Sequence, residues 1–307
     1  MIVQKKGHLM SASTPSASAQ PHMKFRVGLC QMTTGPDVAA NLEAVTKLIR
    51  EAAASGAQYV QTPEITTLME TDRAKLFVAT RPEDGNPAIA HFRSLARELK
   101  IWLHIGSMGI ALGPDKIANR AILISPEGIV TARYDKIHMF DVNLPNGETY
   151  RESRNYAPGD TAVLADLPWG KLGLTICYDM RFPGLYRALA HAGATMIAVP
   201  AAFTVPTGKA HWHTLLRARA IETQCFVFAA AQAGTHANGR QTYGHSLVIS
   251  PWGEILAEAD GSHACVITAD IDMAAVEEAR SRVPSLTHDR AFKVVHATAL
   301  REIKAAS

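Results

Sequence analysis

Two patterns alternate along most of this chain: short apolar runs suited to strands, and longer stretches whose apolar residues recur three and four apart. Residues 24–32 read as a first strand. In 38–55, Leu42, Val45, Leu48 and Ile49 share one helical face until Gly56 stops the pattern. A strand over 58–61 runs into Pro63 and Glu64, then come a helix over 87–100, a strand over 101–110 and a hairpin of 119–124 with 128–136. Residues 141–160 form a polar loop, and so long a stretch without regular structure inside a domain is usually functional. Further strands are expected at 161–165, 172–177, 195–200, 225–230, 246–250, 254–257 and 265–270, with helices at 183–191, 209–222 and 274–281. This alternation, with no repeat of fixed period, predicts a layered α/β protein.

A hydrophobic content of 47% over 307 residues is enough to bury a large core, which excludes disorder as a whole-chain state. No linker divides the pattern, so a single domain is expected over 24–300. Residues 1–23 are rich in Ser, Ala, Pro and Gln without a continuous apolar run, and read as a disordered leader rather than a secretory signal. The formal charge is only +3, and no basic run is interleaved with aromatics, so nucleic acid is not an expected partner. The apolar runs fall well short of the ~20 residues of a membrane-spanning helix. A small-molecule partner remains. The four cysteines, Cys30, Cys177, Cys225 and Cys265, lie far apart and show neither metal-ribbon nor disulfide-framework spacing, which fits a reducing, cytoplasmic setting.

Chemistry is suggested first by residues 172–183. An apolar run delivers Cys177, a short turn follows, and Pro183 opens a helix at a position where proline is well tolerated. In outline this is a nucleophile elbow, able to lift a side chain beside backbone N–H groups that could stabilise an oxyanion. A thiol is mostly protonated at neutral pH and needs a base or a cation nearby. No local histidine supplies one, since Tyr178, Asp179 and Arg181 follow the cysteine. The candidates lie elsewhere, at Glu64, Lys136, Glu148 and Glu152.

Four segments together resemble the nitrilase superfamily of carbon-nitrogen hydrolases, in its usual order. They are Thr62-Pro63-Glu64; residues 134–141 around Lys136; Glu152-Ser153 with Ala157-Pro158-Gly159; and residues 175–181 around Cys177. The resemblance implies a four-layer α-β-β-α sandwich, with chains pairing into a homodimer. It also implies catalytic roles for Glu64, Lys136, Cys177 and Glu152, with no metal or organic cofactor. In those roles Glu64 is general base and then acid, for which a partly raised pKa is expected. Lys136 favours the thiolate and faces the oxyanion with the N–H of Tyr178.

Residues 202–212, 215–224, 243–246 and 251–253 resemble the Nit branch, and especially its deaminated glutathione amidases. That implies cleavage of deaminated glutathione to 2-oxoglutarate and cysteinylglycine. An ω-amidase acting on 2-oxoglutaramate, an N-carbamoyl amidase and a nitrilase are the alternatives within the family. Tyr178, Arg181, Phe203 and Thr204 are the expected substrate-binding residues, Arg181 for a carboxylate. Two positions depart from the pattern, His213 and Gly184 standing where relatives usually carry Glu, both expected near the pocket entrance.

Two readings outside this chemistry are possible from residues alone. His211, His213 and His236 could ligate zinc, although His211 and His213 would point to different faces of a helix. Cys177 could instead serve a non-catalytic, thiol-based interaction or redox protein, with ordinary thiol reactivity and no turnover.

Overall fold

The strand Lys24–Gln31 shows how the layers arise. Phe25, Val27 and Leu29 point from one face into a core shared with a second sheet, whereas Cys30 and the following Met32 join a core under helices. Gly28 belongs to the helix side, where a Cβ would stand 2.9 Å from that of Ala52. Both faces are therefore covered, as a near-continuous apolar strand requires.

The computed structural model describes residues 23–144 and 147–296. The leader expected at 1–23 lies, but for Met23, outside the described residues. The first sheet has seven strands, in the order Cys265–Asp272, Lys24–Gln31, Tyr59–Gln61, Trp102–Ala111, Ile117–Ile124 and Val130–Asp135, with Tyr156–Ala157 beside Ile117–Ile124. The second has six, in the order Ile255–Glu258, Leu247–Ile249, Phe226–Ala229, Met196–Ala198, Gly170–Leu174 and Val163–Leu167. Helices Val38–Ala54 and Pro87–Leu99 cover the outer face of the first sheet, and Pro183–His191 and Val205–Thr223 that of the second. Between the sheets Phe228 meets Tyr59 at 5.6 Å and Phe25 at 6.3 Å, ring centre to ring centre. The architecture is the four-layer α-β-β-α sandwich.

Most elements fall within a residue or two of where the pattern puts them, and the exceptions have physical reasons. Residues 141–160 are not structureless. They hold a hairpin of Asp141–Asn143 and Thr149–Arg151, a 3₁₀ turn Glu152–Arg154 and the strand Tyr156–Ala157. These pieces are too short and polar to show a period. The helix Val205–Thr223 begins four residues before the expected Lys209, because Pro206 sits in its first turn, where its missing N–H costs nothing. The short helix Arg73–Ala79 and the hairpin Ala233–Thr235 with Gln241–Tyr243 are absent from the sequence reading altogether.

Candidate active site

Three strand ends, two from the first sheet and one from the second, converge. Glu64 follows Tyr59–Gln61 by way of Thr62 and Pro63, Lys136 follows Val130–Asp135, and Cys177 follows Gly170–Leu174 by way of Thr175 and Ile176. Close approach of the first and third depends on Gly106, where a Cβ would stand 2.0 Å from the Thr62 carbonyl oxygen and 2.5 Å from the Pro200 ring. Pro200 in turn accepts the N–H of Cys177 at 2.9 Å.

The backbone is strained on both sides of the site. Cys177 has φ +49° and opens a 3₁₀ turn instead of ending the strand, and Ile65, next to Glu64, has φ +59°. Such values are uncommon outside glycine and outlying for a β-branched residue, and they persist only where the surroundings hold them. Asp179 is one such hold. Fully buried, it accepts from the N–H of Ile176 at 2.9 Å, the hydroxyl of Tyr134 at 2.7 Å and the N–H of His138 at 3.0 Å.

The Lys136 ammonium is buried and lies 2.8 Å from Glu64 Oε1, and 3.0 and 2.8 Å from Glu152 Oε1 and Oε2. Asn119 donates to both carboxylates, at 3.0 and 3.2 Å. The N–H of Phe140 gives Glu152 a further bond of 2.7 Å. Glu148, the other acid in this stretch, instead accepts from Tyr150. Cys177, Glu64 and Ala202 line the same cavity, and the thiol and the Glu64 carboxylate act on each other's titration.

Burial and charge act against each other here. Burial pushes the Glu64 carboxyl up, but the Lys136 ammonium and the neighbouring Cys177 thiol outweigh it and leave Glu64 below its ordinary value. This reverses the raised value expected above. For Lys136 the burial penalty is overcome by Glu152 and Glu64, so the ammonium titrates well above the usual range. The Cys177 thiol is pushed well up by burial and by the Glu64 charge, against a smaller opposing pull from Lys136. The resting state is thus a thiol beside a carboxylate and an ammonium.

All four residues line one cavity of about 310 Å³, together with Tyr178, Phe203 and Thr204. Arg181 is not among its lining residues. Its guanidinium lies 3.3 Å from His211 Nδ1 and stacks over Phe203 and Tyr178 at 5.5 and 5.8 Å. His213 and Gly184 are not lining residues either. The three histidines considered as zinc ligands do not meet: His211 faces Arg181, and buried His236 bonds the Thr34 carbonyl and Thr242. His213 shares Glu258 with His245 instead, at 2.9 and 2.8 Å. Sequence reasoning missed Asn119, Tyr150, Tyr156 and Arg240. A signal existed only for Asn119, an amide side chain that stands beside Arg120 in the otherwise apolar run 117–124.

The carbon-nitrogen hydrolase family model matches residues 26–281, nearly the whole described chain. The chain belongs to the carbon-nitrogen hydrolase family. It is 41% identical over 267 residues to a protein of Yersinia enterocolitica named deaminated glutathione amidase, covering 86% of this chain and 92% of that one. A human protein of the same name is 41% identical over 271 residues, covering 86% and 82%. Among solved structures, the NitFhit protein of C. elegans superposes with a TM-score of 0.81 at 35% identity, over 88% of this chain and 66% of that one. This carbon-nitrogen hydrolase is accordingly an enzyme acting on C–N bonds other than peptide bonds. No described helix of it is long and apolar enough to cross a membrane.

Proposed function

We propose that the chain is a cysteine-dependent amidase whose substrate is deaminated glutathione, hydrolysed to 2-oxoglutarate and cysteinylglycine through a thioester on Cys177. One observation carries the chemistry: a buried ammonium held 2.8 Å from each of two carboxylates, buried Glu64 and partly buried Glu152, in the cavity that also receives the thiol. The substrate is supported by the name that relatives about 40% identical carry.

In this reading Glu64, ionised at rest, takes the thiol proton as Sγ attacks the amide carbonyl. The oxyanion that forms is stabilised by Lys136 and the N–H of Tyr178. Glu64 returns the proton to the amide nitrogen, the C–N bond breaks, and the amine leaves a thioester. Water then adds to the thioester, its proton passing to Glu64, and collapse releases the acid and restores the thiol. Glu152 holds Lys136 in place. Phe203 and Thr204 shape the acyl pocket, and Arg181 braces Phe203 and Tyr178 from behind.

The same reading places the enzyme in the cytoplasm as a homodimer with one domain over 24–300. Four cysteines without a disulfide among the described residues support the compartment. Self-association is supported by Ile221 and Trp252, each about half exposed on adjoining segments. Light scattering at the mass of two chains is the expected result, and a strict monomer would remove the dimer.

The deciding assay offers deaminated glutathione, 2-oxoglutaramate and a carbamoyl amine separately, with products followed by mass spectrometry. Release of 2-oxoglutarate and cysteinylglycine from the first is expected, and is abolished in Cys177→Ala. Turnover of another amide with none of deaminated glutathione would replace the substrate. Retained activity in Cys177→Ala would remove the mechanism.

A further inference from the structure

Three cationic residues line the cavity, and two of them are already committed. Lys136 is bound by two carboxylates. Arg151 gives its guanidinium to its own hairpin, bonding the carbonyls of Val142 and Tyr150 and the side chain of Asn143. Arg240 differs. Its Nη2 donates to the Ala202 carbonyl at 2.7 Å and its guanidinium lies 5.4 Å over the Tyr150 ring. No carboxylate pairs with it among the described residues, and its buried Nε has no partner there.

The fold fixes the backbone that carries this side chain. Arg240 closes the turn of the hairpin Ala233–Thr235 with Gln241–Tyr243, where its carbonyl accepts the N–H of His236 at 2.8 Å. Buried His236 anchors that turn to the Thr34 carbonyl at 2.8 Å and to Thr242 at 2.7 Å. A guanidinium held half-buried, with no carboxylate in salt-bridge contact among the described residues, carries a desolvation cost that an anion entering the cavity would relieve. Charge in the cavity points the same way. Glu64 and Glu152 outnumber Lys136, so the reactive cluster alone repels an anionic substrate. Arg240 is near enough to help hold Glu64 ionised, and it offsets the excess.

We propose that Arg240 is an anion-binding subsite that receives a carboxylate of the substrate, and so selects amides bearing an acid group. Guanidinium suits this task because its N–H groups match the two oxygens of a carboxylate. The inference rests on the reading of the cavity as an amidase site, and it moves the carboxylate contact from Arg181, which is not a lining residue, to Arg240.

Binding separates this inference from that reading, because it requires no turnover. In the full chain carrying Cys177→Ala, calorimetry measures the affinity for 2-oxoglutaramate and for uncharged pentanamide. Adding Arg240→Gln is expected to weaken the acid amide about thirty-fold, the range for a lost charge-assisted contact, and pentanamide less than three-fold. Arg240→Lys, which keeps the charge without the fork, is expected to recover part of the loss. Melting temperatures within a few degrees of the parent would show that each variant folds. Equal affinity of the parent and Arg240→Gln for the acid amide would overturn the proposal, and so would a parent that binds neither amide. Failure of the wild-type enzyme to hydrolyse any amide, with Arg240-dependent binding intact, would instead remove the amidase reading and leave the subsite standing.

Discussion

The hydroxyl of Tyr134 donates to the carboxylate of Asp179 at 2.7 Å, and this bond ties the strand leading to Lys136 to the turn that begins at Cys177. Both partners are buried, and Asp179 also holds the Ile176 N–H, so the bond sets the distance between ammonium and thiol as well as adding stability. Tyr134→Phe is expected to cost about 1–3 kcal/mol, the penalty for removing one partner of a buried hydrogen bond. Amide turnover should fall by more than stability explains, since Lys136 and Cys177 lose a shared reference. Chemical denaturation alongside kcat would show this, and unchanged kcat in a destabilised variant would contradict it.

The pH profile follows from the two displaced acids. Glu64 sits below its ordinary 4.5 and Cys177 above its ordinary 9.0, so neither changes charge near neutrality. A depressed carboxyl adds stability that is present above its unfolded pKa and is lost as pH falls through its folded one. Activity and this part of stability should therefore fall together, on the acid side of 4.5. On the alkaline side, kcat/KM should change only beyond 9.0. An inflection near pH 7 in kcat/KM for an amide would mean that another group is the base.

Removing Glu64, the proposed base, should have opposite effects on two reactions of the same sulfur. Glu64 is one of the causes that raise the Cys177 thiol, and Lys136 opposes it. In Glu64→Gln the negative charge is gone while the ammonium stays, so the thiolate becomes easier to form. Alkylation of Cys177 by iodoacetamide at neutral pH should become several-fold faster, while amide hydrolysis falls at least a hundred-fold for want of a proton carrier. Peptide mass spectrometry separates Cys177 from Cys30, Cys225 and Cys265. Slower alkylation in the variant would show that Glu64 does not raise the thiol.

What could be read from the sequence was local. The run into Pro63 and Glu64 and the elbow at Cys177 each lie within a dozen residues, where period and turn chemistry suffice. Glu152 could be told from Glu148 only by resemblance, and the geometry that separates them is the bond to Lys136, sixteen residues before it. Arg240 left no trace, because its place depends on a hairpin of three-residue strands anchored by His236 to Thr34, 202 residues away. The direction of the Glu64 shift was equally out of reach. It is decided by whether burial or the ammonium prevails, and both depend on packing between the two sheets.

Gly106 offers the most direct test of how the strand ends are brought together. It lies in the strand Trp102–Ala111, and the space a Cβ would need is filled by the Thr62 carbonyl at 2.0 Å, the Pro63 carbonyl at 2.7 Å and the Pro200 ring at 2.5 Å. Two of these are backbone atoms leading directly to Glu64, and Pro200 accepts the N–H of Cys177, so no flexible side chain can yield. Overpacking costs about 1–3 kcal/mol even in cores that adjust, and this site has rigid neighbours on both sides. Gly106→Ala is expected to cost at least that much and to push the Glu64 segment away from the Cys177 segment. A folded Gly106→Ala chain should then retain iodoacetamide reactivity at Cys177 but lose nearly all amide turnover. Wild-type turnover in that variant, with an unchanged melting temperature, would show that the contact through this strand does not hold the site together.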